Sequence, residues 1–138
     1  MNRKLLGTLL FVVAAAAAGC DNEVENATPP TTPAPTTTET FTGSININGA
    51  QTHTFTVLAS GTVTATLTEV TPDNTVAVGM ELGTWNGVSC ASVVSNANAL
   101  QGNAVIGTAN GVGALCTRIH DVGKLTASLD YTLTVVHP

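Results

Sequence analysis

Gly61-Thr62-Val63-Thr64-Ala65-Thr66-Leu67-Thr68 decides how the rest of the chain is read. Threonine fills every second position and an apolar residue sits between each pair. That period of two puts Val63, Ala65 and Leu67 on one face of a strand and the threonines on the other. β-Branched threonine suits the open face of a pleated sheet. The alternation recurs upstream. Phe41, Gly43, Ile45 and Ile47 alternate with Thr42, Ser44 and Asn46, and His53, Phe55 and Val57 with Thr52, Thr54 and Thr56. Downstream come Val76, Val78, Met80 and Leu82, and later Leu129, Tyr131, Leu133 and Val135. No segment carries a helical apolar stripe.

The pattern predicts about eight strands. They fall near 39–47, 51–58, 62–69, 75–83, 88–94, 102–108, 112–120 and 128–136. Asn48-Gly49, Asn86-Gly87 and Asn110-Gly111 read as tight hairpin turns, because Asn and Gly accept positive φ cheaply. Ser92 to Gly102, rich in Asn, Ser and Ala, reads either as an ordinary loop or as the rest of a ligand face with Trp85. Many short strands between turn signals make residues 39–138 a single all-β domain, an antiparallel β-sandwich.

Composition sets limits. A chain of 138 residues holds one compact domain. Only 9% of residues are charged, which excludes a charged coiled coil or a polyelectrolyte tail. Four basic residues against nine acidic ones exclude a nucleic-acid partner.

The first residues read as an address. Arg3 and Lys4 precede an uncharged apolar run, Leu5 to Ala18, shorter than the ~20 residues a spanning helix needs. Small residues close it, so residues 1–19 are expected to be a secretory signal. Ala17-Ala18-Gly19-Cys20 resembles the lipobox of bacterial lipoproteins, with Ala17 where Leu is usual. The resemblance implies cleavage before Cys20 and acylation of Cys20. It places the protein outside the cytoplasm, in the cell envelope, with the membrane as its partner through the lipid. Two or three acyl chains anchor stably, at ~0.8 kcal/mol per buried methylene. Processing leaves Arg118 and Lys124 as the only cations against nine acidic residues, so charge does not bind anionic lipid. Residues 20–38 are expected to be a disordered Thr/Pro-rich linker, with four prolines between Ala27 and Thr38. Asp21 to Thr38 reaches roughly 55 Å when extended at ~3.1 Å per residue.

Of three cysteines, Cys20 is assigned to lipid, which leaves Cys90 and Cys116 in the exported domain. An oxidising compartment predicts that they form a disulfide. The loop it closes makes it worth roughly 3.5 kcal/mol on the chain-entropy model.

Leu115-Cys116-Thr117-Arg118-Ile119-His120-Asp121, followed by Asp130-Tyr131-Thr132-Leu133-Thr134-Val135, resembles the closing half of bacterial pre-peptidase C-terminal domains. Phe41-Thr42-Gly43, His53-Thr54-Phe55-Thr56-Val57 and Gly61 to Leu67 resemble the opening half. Leu115 and His120 stand where that family places tyrosines. The resemblance implies a jelly-roll-like sandwich, without catalysis of its own, that assists secretion, solubility or contact with a protein or polysaccharide.

Catalytic and cofactor signals are weak by comparison. Gly87-Val88-Ser89-Cys90-Ala91 starts like a nucleophile elbow but lacks its last glycine and its helix. His53, His120 and His137 lack metal-ligand spacing, and Asp73, Asp121 and Asp130 lack the spacing of a calcium loop. No cofactor and no metal is expected. Asp121 is expected to bond backbone amides at a strand end, and Arg118 to pair with an acid. Trp85 and Asn86, placed in a loop between strands, are the candidate ligand face, since indole stacks on sugar rings and anchors partners. The expected function is a non-catalytic membrane-anchored lipoprotein with a structural or adhesive sandwich. The alternative is a carbohydrate- or protein-binding module centred on Trp85.

Cys20→Ala is expected to release the protein from membranes and leave a longer, unlipidated precursor. Fractionation and intact mass measure it, and unchanged values refute lipidation.

Overall fold

The apolar rows read from the sequence meet face to face. The computed structural model describes residues 32–138, and the expected signal at 1–19, Cys20 and the expected linker as far as Thr31 lie outside the described residues. The strands are β1 (Thr37–Ile45), β2 (Ala50–Val57), β3 (Gly61–Thr71), β4 (Val78–Trp85), β5 (Cys90–Ala99), β6 (Ala104–Ala109), β7 (Gly113–His120) and β8 (Leu129–His137). They form two four-stranded antiparallel sheets, ordered β1-β8-β3-β6 and β2-β7-β4-β5. This is a jelly roll, the eight-strand form of the β-sandwich.

Burial keeps the period of two. From the first sheet, Val63, Ala65 and Leu67 of β3 and Leu129, Tyr131, Leu133 and Val135 of β8 point inward and are buried. From the second come Phe55 and Val57 of β2, Val78, Met80 and Leu82 of β4, and Ile119 of β7. Thr117 is the polar residue in this inner row, and its hydroxyl donates to the Glu81 carbonyl at 2.9 Å. A buried hydroxyl is tolerated once it is bonded.

Only β4 and β5 are neighbours in both sequence and sheet. The Asn86-Gly87 loop that joins them is the one Asn-Gly hairpin of the three expected, with Gly87 at φ 95°. The other two are corrected. Asn48-Gly49 carries the chain from the first sheet to the second, as does Asn110-Gly111. Asn48 takes φ 58°, whereas neither Asn110 nor Gly111 has positive φ. A turn dipeptide specifies a reversal, not which strands pair across it. Ile47, expected inward, is half exposed because β1 ends at Ile45 and the chain turns before Ile47 reaches the core.

β1 is shifted from its expected span and β5 is longer than expected. β1 starts at Thr37, ahead of the expected boundary at residue 39, because β8 offers backbone partners as far as His137. His137 Nε2 also donates to Glu39 Oε1 at 2.9 Å, which pins the start of β1. β5 runs on to Ala99, past the expected end at residue 94 and into a stretch expected to be loop. Its pairing with β4 slips between Val78 and Met80 and again between Leu82 and Gly83. Each bulge adds a residue and breaks the alternation, so the sequence pattern hides the strand.

The Cys90–Cys116 disulfide is present and ties the start of β5 to β7 across the end of β4.

Leu133 is fully buried at the centre of the first sheet. Leu133→Ala is expected to lower unfolding free energy by ~2–5 kcal/mol in urea titrations. A loss below ~1 kcal/mol contradicts the core described here.

Candidate functional site

Period two also orders the outer face of the second sheet. Along β4, Gly79, Glu81, Gly83 and Trp85 share that face, opposite His120, Arg118 and Cys116 of β7 where pairing is regular. Thr52 of β2 pairs with Arg118 on its other side. The two glycines make room. A Cβ on Gly79 would collide with the His120 imidazole, and one on Gly83 with the Ala91 carbonyl oxygen.

Trp85 is therefore the last residue of β4, not a loop residue, and it pairs with Cys90. The strand continues past Gly83 because Gly83 fits the bulge against β5. Trp85 is partly buried. It lines a shallow recess of about 390 Å³ with Thr52, Val88, Ser89, Cys90 and Arg118. The register places Arg118 opposite Glu81, four residues before Trp85, so the two ends of the recess are ~13 Å apart along the strand.

Arg118 Nη1 lies 3.5 Å from Glu81 Oε2, so the expected acid partner is present. His120 Nδ1 lies 3.8 Å from Glu81 Oε1, is buried, and has no hydrogen-bond partner. An ion pair as open as this contributes ~0–1 kcal/mol to stability. Its donors and acceptors remain largely available to a ligand.

Asn86, named with Trp85 from the sequence, does other work. Its Oδ1 accepts from the amides of Val88 (2.9 Å) and Ser89 (2.8 Å), and its Nδ2 donates to the Ser89 hydroxyl at 3.2 Å. Asn86 shapes the loop, and Arg118 and Thr52 replace it as recess residues. A signal was available: Glu81 and Trp85 are separated by four residues, which puts them on one strand face, but only if the strand runs through Gly83.

The remaining polar groups are engaged elsewhere. Asp121 Oδ2 accepts from the Asn48 amide at 2.8 Å, and Oδ1 from the amides of Gly123, Lys124 and Leu125. These donors, Asn48 foremost, hold its carboxyl below the usual range. Asp73 Oδ1 accepts from the amide and hydroxyl of Thr75, which likewise lowers it. Among the described residues no His, Cys, Asp and Glu side chains gather as a metal site.

His53 stacks on Phe41 with ring centroids 4.9 Å apart, and its Nε2 shares a 2.8 Å hydrogen bond with the Tyr131 hydroxyl. Gly43 leaves room for this group, since a Cβ there would sit 2.6 Å from the Tyr131 oxygen. Burial holds the His53 imidazole below its ordinary value and pushes the Tyr131 phenol up to about 12.

No protein-family model matches this chain, and no curated protein matches it.

The lowered His53 value fixes the sign of a pH effect. Below 6.5 the unfolded chain takes up a proton that the folded chain resists. The His53 contribution to stability is expected to be level above pH 6.5 and to fall as pH drops from there towards the lowered folded value. Urea midpoints of wild type and His53→Gln measure this. The drop is expected to be smaller in the variant, and equal drops refute the assignment to His53.

Proposed function

We infer that this chain is a non-catalytic lipid-anchored protein of a bacterial cell envelope, whose jelly roll makes an adhesive or structural contact. The signal-like start, the lipobox-like Ala17-Ala18-Gly19-Cys20 and the Thr/Pro linker support the anchoring half of this reading. Acyl chains on Cys20 hold the protein to the membrane, and the linker carries the domain clear of the headgroups.

One observation supports the contact half: Trp85 and Arg118 border one recess on the outer face of the second sheet, with Glu81 beside Arg118. It favours the binding-module form of the reading, with an envelope polysaccharide or protein as ligand. An indole offers an apolar plane for a sugar ring or an apolar side chain. Arg118 and Glu81 add planar donors and acceptors whose charges offset one another. The opposing outer face, on the first sheet, carries mostly threonine: Thr40, Thr134 and Thr66 lie in one cross-strand row.

Glycan arrays and pull-downs from envelope extracts, run with wild type and Trp85→Ala, test this reading. Wild type is expected to retain a ligand and Trp85→Ala to weaken retention by tenfold or more, the usual effect of losing a central aromatic anchor. Identical, empty results with both proteins remove the recess as a binding face.

A further inference from the structure

Of Arg118, Glu81 and His120, only Arg118 lines the recess, so the wall presents a guanidinium, an indole and the hydroxyls of Thr52 and Ser89. The sequence keeps negative charge away from it. From Leu82 to Thr117 there is no Asp, Glu, Lys or Arg, and this stretch supplies Trp85, Val88, Ser89 and Cys90 to the wall. Apart from Glu81, the side-chain carboxylates of the described residues lie elsewhere. Glu39, Glu69 and Asp130 belong to the first sheet. Asp73 and Asp121 belong to connections near the start of β4, whereas Trp85 ends it.

The guanidinium is largely unspent. Arginine carries five N–H donors in a planar fork. The contact from Arg118 Nη1 to Glu81 Oε2, at 3.5 Å, is longer than a charge-assisted hydrogen bond. Glu81 therefore offsets the net charge of Arg118 without occupying its fork, and the Arg118 side chain is 38% exposed. The main chain is in the opposite condition. β7, which carries Arg118, is paired with β2 on one side and β4 on the other, and Trp85 is paired with Cys90. A peptide bound by strand addition needs a free edge, and the recess lies across the face of the sheet. Side chains alone hold a ligand here.

We propose that the recess takes an acidic oligosaccharide, with the carboxylate of a uronic acid on Arg118 and a neighbouring ring stacked on Trp85. This rests on the reading of the recess as a binding face and names its ligand class. A carboxylate fits the guanidinium fork through two parallel hydrogen bonds, whereas a neutral hydroxyl takes one donor at a time. A pyranose ring offers the indole an apolar face and offers Thr52 and Ser89 its hydroxyls. Arg118 and Trp85 stand at ends of the recess ~13 Å apart along the strand, farther than one ring reaches. The ligand is therefore an oligomer in which the charged ring and the stacked ring are different units. Lipid anchoring plays no part in this argument.

Titration of the full chain in detergent tests the proposal, read by Trp85 fluorescence and by calorimetry. The probes are oligomers of galacturonate, glucuronate and mannuronate, each beside its methyl ester, which keeps the rings and removes the charge. Wild type is expected to bind at least one acid oligomer tenfold or more tighter than its ester. Arg118→Gln is expected to bring that preference down to about one, and Trp85→Ala to weaken acid and ester alike by tenfold or more. Lys124→Gln, which removes the other cation of the described residues at a site outside the recess, is expected to change neither affinity. Circular dichroism confirms that each variant is folded. Wild type that binds esters as tightly as acids overturns the acidic ligand and leaves the binding face standing. So does an acid preference that survives Arg118→Gln or is lost equally in Lys124→Gln. Absence of binding to every acid oligomer overturns the proposal, and glycan arrays that are also empty remove the binding face with it. Retention of a peptide through its terminal carboxylate, in place of every saccharide, overturns the saccharide class.

Discussion

Strand β8 is the constraint on which the rest of the sandwich depends. It pairs with β1 on one side and β3 on the other, so the first sheet exists only once Leu129–His137 is in place. Its inward side chains, Leu129, Tyr131, Leu133 and Val135, run through the middle of the core. β1 has no other strand partner. The second sheet follows the same logic, with β7 holding β2 against β4. Nearly every pairing therefore joins residues far apart in the chain. Closing such loops costs entropy before any contact repays it, which makes the topology a slow one to assemble. β4 and β5 form the only local pair, and the disulfide fastens that hairpin to β7.

The polar groups divide between holding the ends of the sandwich and facing outward. Asp121 joins the β1–β2 connection to the β7–β8 connection by accepting from Asn48 and from three of its own following amides. Glu39 and His137 fasten the start of β1 to the end of β8. These side chains are engaged in holding the fold. Arg118, Glu81 and His120 are close together but make no hydrogen bond to one another, and of the three Arg118 lines the recess beside Trp85. A partly buried polar group with unspent hydrogen bonds is costly for folding alone, and a ligand that completes it recovers that cost. That contrast is why the reading of function rests on the second sheet rather than on the threonine rows of the first.

Much of this was legible in the residues. Alternation and turn signals located the eight strands and the inward rows of β3 and β8, and cysteine count with an oxidising compartment paired Cys90 with Cys116. Legibility failed where the period of two fails. The later part of β5, beyond residue 94, was read as loop because two bulges shift its alternation, and Trp85 was put outside β4 because the expected strand ended at Gly83. The bonds that Asn86 makes within its tight loop leave no trace in composition. The recess partners Arg118 and Thr52 come from strands far from Trp85 in sequence, so no local pattern could gather them.

The sequence by itself determined the local terms: which residues prefer extended backbone, which side of each strand is apolar, where the chain reverses, and which stretch is uncharged. These depend on nearest neighbours and on a repeat of two. The tertiary structure alone decided the partners. It set Asn48-Gly49 and Asn110-Gly111 to cross between sheets, extended β1 to Thr37 along β8, and placed Arg118 in one recess with Trp85. Such outcomes turn on which strands lie next to one another. In a jelly roll that is fixed by packing two apolar faces together, because every connection but one leaves its sheet.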